Sequence, residues 1–391
     1  MKVSRLDLRV ILLWVAIFQF YLPNEKVYYI YQFFVACFIF AKSFGEIKKC
    51  MNYTGAFFYS LVITVSCIIN RNSILITQVA RGFTNALLII DTLLLLKQYE
   101  RIRNGKKLIE LLFKISKFYA CMNVLWIAVL IVTGKLHSAV IGEFLFSRGK
   151  FLTAYVLIFY LMFFYMAWNG NRFFPSKWKK GLLVIQAIGC ITICALIETA
   201  TGIIAIIMFL FFLLYGGAIV RIFENPLAIV TAIIGSMLLI FCLKYILQLS
   251  FVQNIIVNVL HEDISLTGRM ELYTLLGPLV LKSGLFGGGF GSYVAATLAY
   301  HGWYNAQNGL AEIILTYGFL GGISFLLLTF VLMYKAKNKN AALYSAIMVF
   351  IVVAIVEIPF NNSFILLLSL LQIQYSNRLN FIDKGVKTGV I

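Results

Sequence analysis

A chain of 391 residues that is 62% hydrophobic and 12% charged is far more apolar than a soluble domain, where apolar residues make up about 45–50% and charged ones about 25%. It reads as a polytopic membrane protein. The net charge of +18 would suit nucleic acid, but Lys and Arg are spread over short connections and form no basic groove interleaved with aromatics, so nucleic-acid binding is excluded.

Apolar runs long enough to cross a bilayer number about twelve. They lie at residues 8–22, 27–41, 54–69, 74–96, 115–133, 151–168, 181–198, 203–220, 227–248, 309–334, 341–358 and 362–376. With both termini placed in the cytoplasm, the basic connections around Lys48, Arg101, Lys106, Arg172 and Lys179 all fall inside. This is the positive-inside pattern, and it leaves the outer half of the molecule nearly neutral. The expected class is all-α, an integral protein of an inner or plasma membrane. Residues 1–248 hold the first nine spans, 249–308 a large extracytoplasmic loop carrying the site, 309–376 the last three spans and 377–391 a cytoplasmic tail. None of the seven cysteines falls in an outer loop, so no disulfide framework is expected. Cys190 and Cys194, one turn apart among apolar neighbours, read as small packing residues.

The first two spans form a hairpin whose aromatics, Tyr28 and Tyr29 among them, read as an interfacial belt. The fourth span contains Arg81, and Gln78, Arg81, Asn85 and Thr92 recur on one helix face. A charge at that depth needs a partner or a cavity. Arg81 is therefore either a structural ion pair or an anion site near the outer surface, whereas Asp91, off the stripe, reads as structural. From 97 to 117, basic residues alternate with Leu, Ile and Phe, which predicts a separate amphipathic helix on the inner leaflet. The outer segment 134–150, with His137, Glu143, Arg148 and Lys150, suits a lid or a solvated loop. Glu198 sits in a tight outer turn.

The long outer connection is unusual for its length. Its apolar stretches at 255–260, 273–281 and 293–300 predict short helices resting on the bilayer. The run 284–292, GLFGGGFGS, lacks the Gly-Lys-Ser/Thr ending of a phosphate-binding loop and reads as a sharp turn with close backbone approach. Asn305, Asn308, Glu312 and Thr316 give the next span a polar face at its outer end, where a helix N-terminus adds backbone donors. Arg71, Arg81, Arg148 and Arg269, with Glu198, Glu312 and Glu357 and all three histidines, gather on the outer side. This set suits an anionic, oxygen-rich substrate, with Arg269 able to hold a phosphate bidentately. The histidines His137, His261 and His301 show no metal-ligand spacing, and no cofactor is implied.

Thr267-Gly268-Arg269, Gly277-Pro278, the glycines from 284 to 291, Asn305 to Asn308 and Gly318 to Gly321 together resemble the O-antigen polymerase and ligase family. The order of these motifs and the late outer loop are similar to that family over about sixty residues. The resemblance implies a C-type membrane glycosyltransferase acting on undecaprenyl-pyrophosphate-linked oligosaccharide repeat units in O-antigen or capsule biosynthesis. The growing glycan would pass from its carrier to a new unit, with inversion and without metal, and a chain-length regulator would be a partner. It implies that arginines stabilise the pyrophosphate leaving group. Arg269 and Arg81 are then the first candidates, and Arg71, Arg148, Gln307, Asn308 and Glu198 are candidates for binding substrate. Where ligases of the family have His-Asn, this chain has Gln307-Asn308. Glutamine is no general base, so His301 or Glu312 would take that part, and polymerase is favoured over ligase. The reading from another class is a lipid-linked oligosaccharide flippase, which should line a path through the whole bilayer with polar groups.

Overall fold

The computed structural model describes residues 4–22, 24–47, 54–169, 177–215, 217–246, 249–254, 257, 269–292 and 305–375. Among these residues there is no β-strand, only an isolated bridge between Leu145 and Arg148. The helices are α1 (Arg5–Phe18), α2 (Glu25–Ser43), α3 (Thr54–Ile69), α4 (Ile76–Arg103), α5 (Gly105–Val132), α6 (Leu136–Ile141), α7 (Lys150–Asn169) and α8 (Lys177–Leu196). They continue with α9 (Ala200–Leu214), α10 (Gly217–Ile222), α11 (Pro226–Ile246), α12 (Ser250–Asn254), α13 (Arg269–Lys282), α14 (Gly309–Tyr334), α15 (Ala341–Val353) and α16 (Asn362–Leu370). Each run expected from hydropathy overlies a helix, the one at 203–220 being divided between α9 and α10. Five helices, α2, α4, α5, α7 and α14, are long and apolar enough to cross a membrane by length and composition.

Asparagine punctuates this sequence. Asn24, Asn104, Asn308, Asn340 and Asn361 each cap a helix N-terminus through the side chain, and such a cap is worth about 1 kcal/mol over alanine. Ser4 and Asp7 close a capping box on α1. At the centre stands α7, whose residues 154–166 are all buried, as expected of a helix that is apolar all round. It packs on α5, α8, α9 and α15. Trp14 of α1 fills the junction, fully buried against Phe18, Tyr119, Phe159 and Phe163. On the outside, Phe34, Leu61, Leu125 and Ile185 are exposed, a surface suited to lipid rather than water.

Lipid is as apolar as leucine, so close packing and interhelical hydrogen bonds must hold such a bundle. Gly55 brings α3 onto the backbone of Leu328, where an added Cβ would stand 3.1 Å from its Cα. Ser60 Oγ donates to the Ala86 carbonyl at 3.0 Å, and Tyr28 Oη to the Ala16 carbonyl at 2.6 Å. In membranes such bonds contribute about 0.6 kcal/mol each on average.

The α14 helix is broken. Gly318 has φ 73° and ψ −174°, a conformation essentially closed to residues with a Cβ. The break strips partners from the Leu315 and Thr316 carbonyls and from the Phe319 and Leu320 amides. Loop 284–292 supplies all four. The Gly288 and Gly289 amides donate to Leu315 and Thr316 at 3.1 and 2.9 Å, while Phe319 and Leu320 donate to the Gly284 and Leu285 carbonyls at 3.0 and 3.1 Å. On the far side Ser66 Oγ and Asn70 Nδ2 of α3 and its turn donate to the Phe286 and Gly287 carbonyls at 2.5 and 3.1 Å. The glycine run is thus a sharp turn with close backbone approach, as its composition predicts, and positive φ at Gly284, Gly287, Gly289 and Gly291 explains why glycine is used.

One expectation needs correction. Residues 97–117 are not a separate surface helix: α4 runs on to Arg103, breaks at Asn104 with φ 73°, and α5 starts at Gly105. The basic residues decorate the ends of two long helices, and the alternation with Leu and Ile is the buried face of α5. The stretch 273–281 is helical, as expected, within α13. Leu272, Tyr273 and Leu276 are buried against Ile240 of α11 and Leu315 of α14, while Leu281 is exposed. The other two expected short helices, at 255–260 and 293–300, lie outside the described residues, Val257 excepted.

Candidate functional site

The bundle has two ends. One gathers the starts of α2, α4, α14 and α16. Here a polar cavity of about 250 Å³ opens between α1, α2, α4, α14 and α16. The other end carries the last turn of α4, with Arg101 and Arg103.

Arg81 stands in the cavity wall. Its guanidinium lies 4.0 Å from the centre of the Tyr29 ring and 5.2 Å from that of Phe290, and Nη1 donates to Gln78 Oε1 at 3.3 Å. Among the described residues no carboxylate forms an ion pair with it. Aromatic faces stabilise a cation by about 0.5–2 kcal/mol without neutralising it, so Arg81 presents a full charge to the cavity. The glycine loop contributes directly, because Phe290 belongs to it and Gly291 packs against Gln78. Asn85, one turn deeper on the predicted stripe, also lines the cavity, while Thr92 is fully buried and returns its hydroxyl to the Leu88 carbonyl. Asp91 is buried as well and is not part of the cavity wall.

Opposite, Glu312 sits in the first turn of α14, half-buried, and accepts the Ala306 amide at 2.9 Å. It lines the same cavity with Thr316 and Tyr317, the residues before the helix break. The sequence therefore places a cation and an anion of opposite origin around one space. Five amides, Gln19, Gln32, Asn85, Asn361 and Asn362, line it too, beside apolar residues such as Leu88, Leu152, Ile313 and Phe360.

A second chain of contacts supports the Tyr29 ring. Its hydroxyl donates to Glu25 Oε2 at 3.1 Å, and Glu25 forms an ion pair with Arg148. Arg148 also donates to Gln19 Oε1 at 3.2 Å and approaches Glu143 at 3.9 Å. Burial works against its charge, but Tyr29 and Glu25 outweigh burial and raise its pKa above the ordinary arginine value. Arg148 is thus one step removed from the cavity, tying segment 142–149 to the α1–α2 turn. The Tyr21 amide reinforces that tie by donating to the Phe146 carbonyl at 2.8 Å.

The other expected residues separate. Arg71 is exposed in the turn after α3 and does not line the cavity. Glu198 is exposed in a different cluster, 3.5 Å from His137, with Lys150 donating to its carbonyl at 3.4 Å. Asn308 is fully buried. Its Oδ1 caps α14 through the Ala311 amide, and its Nδ2 donates to the Ala354 and Ser236 carbonyls at 2.8 and 3.2 Å, pinning α14 to α15 and α11. Gln307, with φ 50°, is buried beside it and donates from Nε2 to Asn305 Oδ1 at 2.6 Å. Neither lines the cavity. Glu357 is buried just before Ile358, which lines the cavity. Arg269 is the first residue of α13, whose body packs on α14, but its side chain lies outside the described residues, as does His301 entirely.

Hydropathy and spacing did not single out Tyr29, Phe290, Gln19, Gln32 or the Asn361-Asn362 pair. The tyrosine belongs to an aromatic run that reads equally well as an interfacial belt, and the asparagines read as a turn. Only the pairing of two adjacent amides with a helix start was a usable signal. No family model matches the chain, and neither a curated protein nor a solved structure does.

Proposed function

We propose that this protein is a polysaccharide polymerase, a membrane glycosyltransferase that moves a growing glycan from undecaprenyl pyrophosphate onto a new lipid-linked repeat unit. In this reading the helices make about twelve spans in a bacterial inner membrane, with the Arg101 end in the cytoplasm by the positive-inside rule and the Arg81 end outside. The reading rests on the motif resemblance, and one observation carries it furthest: a charged guanidinium without a carboxylate partner among the described residues, set in a cavity whose other charged wall residue is Glu312.

The chemistry has two demands. An acceptor hydroxyl oxygen attacks the anomeric carbon of the donor sugar, and the bond from that carbon to the pyrophosphate oxygen breaks, its electron pair leaving with the lipid pyrophosphate. Arg81 meets the charge that grows on the leaving group. The hydroxyl proton passes to the Glu312 carboxylate, which stands in for the histidine that Gln307 replaces. Arg269 would hold the second phosphate. The cavity belongs to one end of the bundle, which favours an enzyme over a flippase.

The test uses purified full-length protein with a synthetic lipid-pyrophosphate-linked repeat unit and no nucleotide, products being resolved on a gel. The parent should give a ladder, and Arg81→Gln, Glu312→Gln and Arg269→Ala should each suppress it. Transfer to lipid A core without a ladder would make the protein a ligase. Movement of the unit across proteoliposome membranes without any new bond would make it a flippase.

A further inference from the structure

The amides of the cavity carry more information than its charges. Asn362 Nδ2 donates to Asn85 Oδ1 at 2.7 Å, Gln32 Nε2 donates to the Ala16 carbonyl at 2.7 Å, and Gln19 Oε1 accepts from Arg148. Asn361 Oδ1 caps α16 through the Ser363 amide at 2.9 Å. Each bond fixes one half of an amide. Among the described residues, the other halves, Gln19 Nε2, Asn85 Nδ2, Asn361 Nδ2, Gln32 Oε1 and Asn362 Oδ1, have no hydrogen bond, and all five residues line the same space.

The mixture is diagnostic. An anion calls for donors only, and an apolar tail calls for neither donors nor acceptors. A polyol needs both, because every hydroxyl donates once and accepts twice. At about 250 Å³ the cavity lies just below the ~300–1,000 Å³ of typical small-ligand sites, room for one ring rather than an oligosaccharide. Glu312 adds a selection rule, since a carboxylated sugar would set like charge against it, and such repulsion is how sites reject near-identical ligands.

We infer that the amide arc of Gln19, Gln32, Asn85, Asn361 and Asn362 holds the hydroxyls of a single uncharged sugar ring, the terminal residue of the acceptor, beside Arg81. This rests on the proposed polymerase reading, but it concerns binding and so can be tested without turnover. The full-length protein in lipid nanodiscs is probed by ligand-observed NMR with the methyl glycosides of a neutral hexose, an N-acetylhexosamine and a hexuronic acid. Saturation should transfer to a neutral glycoside and not to the uronate. Asn85→Leu on α4 and Asn362→Leu on α16, two variants on different helices, should each weaken that binding about 3–10-fold, the worth of one uncharged hydrogen bond, with Arg101→Gln at the opposite end of α4 as an unaffected control. A monodisperse elution profile identifies which variants are folded.

Transfer to the uronate alone, transfer to none of the three, or binding indifferent to both asparagine variants would overturn the inference. The two readings fail separately. Glycoside binding without a ladder removes the polymerase and keeps the subsite, whereas a ladder whose acceptor KM ignores both asparagines removes the subsite and keeps the polymerase.

Discussion

The two ends of α4 treat charge in opposite ways. At the Arg101 end two cations are closed off by carboxylates. Lys97 reaches Glu100 at 2.8 Å and the Gln372 carbonyl at 2.7 Å, and Arg101 pairs with Glu46. Even the buried Asp7 receives the Tyr99 hydroxyl at 2.8 Å. At the other end Arg81 is held by two rings and one amide. A cation closed by a carboxylate is already spent on the scaffold, whereas one held by neutral groups keeps its charge for an incoming anion. Residue type does not separate Arg81 from Arg101. Their partners do.

The largest effect should come from Arg81. Replacing it with Gln should lower the initial rate of ladder formation by about 10²–10³, the usual loss when a preorganised donor is removed from a developing anion, with little change in thermal midpoint. Next is the backbone beneath it. In Gly318→Ala the new Cβ would press on the Leu285 carbonyl at a φ of 73°, costing about 1–3 kcal/mol from strain. A lowered midpoint in a detergent melt, together with reduced activity, would tie the helix break to the site. An unshifted midpoint would mean that the break is not rigid.

Smaller again is Glu25→Gln, which uncouples Arg148 from Tyr29. Glu25 is 61% exposed on its side chain, so stability should fall by less than about 1 kcal/mol. Loss of the Tyr29 support should still slow the ladder about 3–10-fold, on the scale of one hydrogen bond, with Glu25→Asp restoring part of it. The smallest effect belongs to Arg101→Gln at the opposite end, less than about 1 kcal/mol in stability and nothing in rate. If Arg101→Gln slowed ladder formation as much as Glu25→Gln, the contrast between the ends would collapse.

Much of this was legible in the residues. Apolar runs predicted 54–69 and 309–334 with the bounds that α3 and α14 show, because a bilayer demands a minimum apolar length and little else. Helical spacing linked Gln78, Arg81 and Asn85, and all three meet at or beside the cavity. Hydropathy reports depth along a helix but not which neighbour the helix faces. Arg71 and Glu198 fall on the same expected side as Arg81 and still lie away from the cavity. The ring of Tyr29 gains its role from a helix that sequence cannot bring near. Charge density at 97–117 misled for a related reason, since the ends of two helices joined at Asn104 have the same composition as one surface helix.

The exchange of backbone partners between loop 284–292 and the broken α14 has a consequence for how this protein can change over time. Four main-chain bonds do not depend on what the side chains are, so positions such as the exposed Leu285 can drift freely. The glycines at 287 and 318 cannot, because each would drive a Cβ into the other's segment. Nor can the loop gain or lose a residue without unpairing the helix. Kinship among such proteins should therefore be written in the spacing of glycines more than in matching letters.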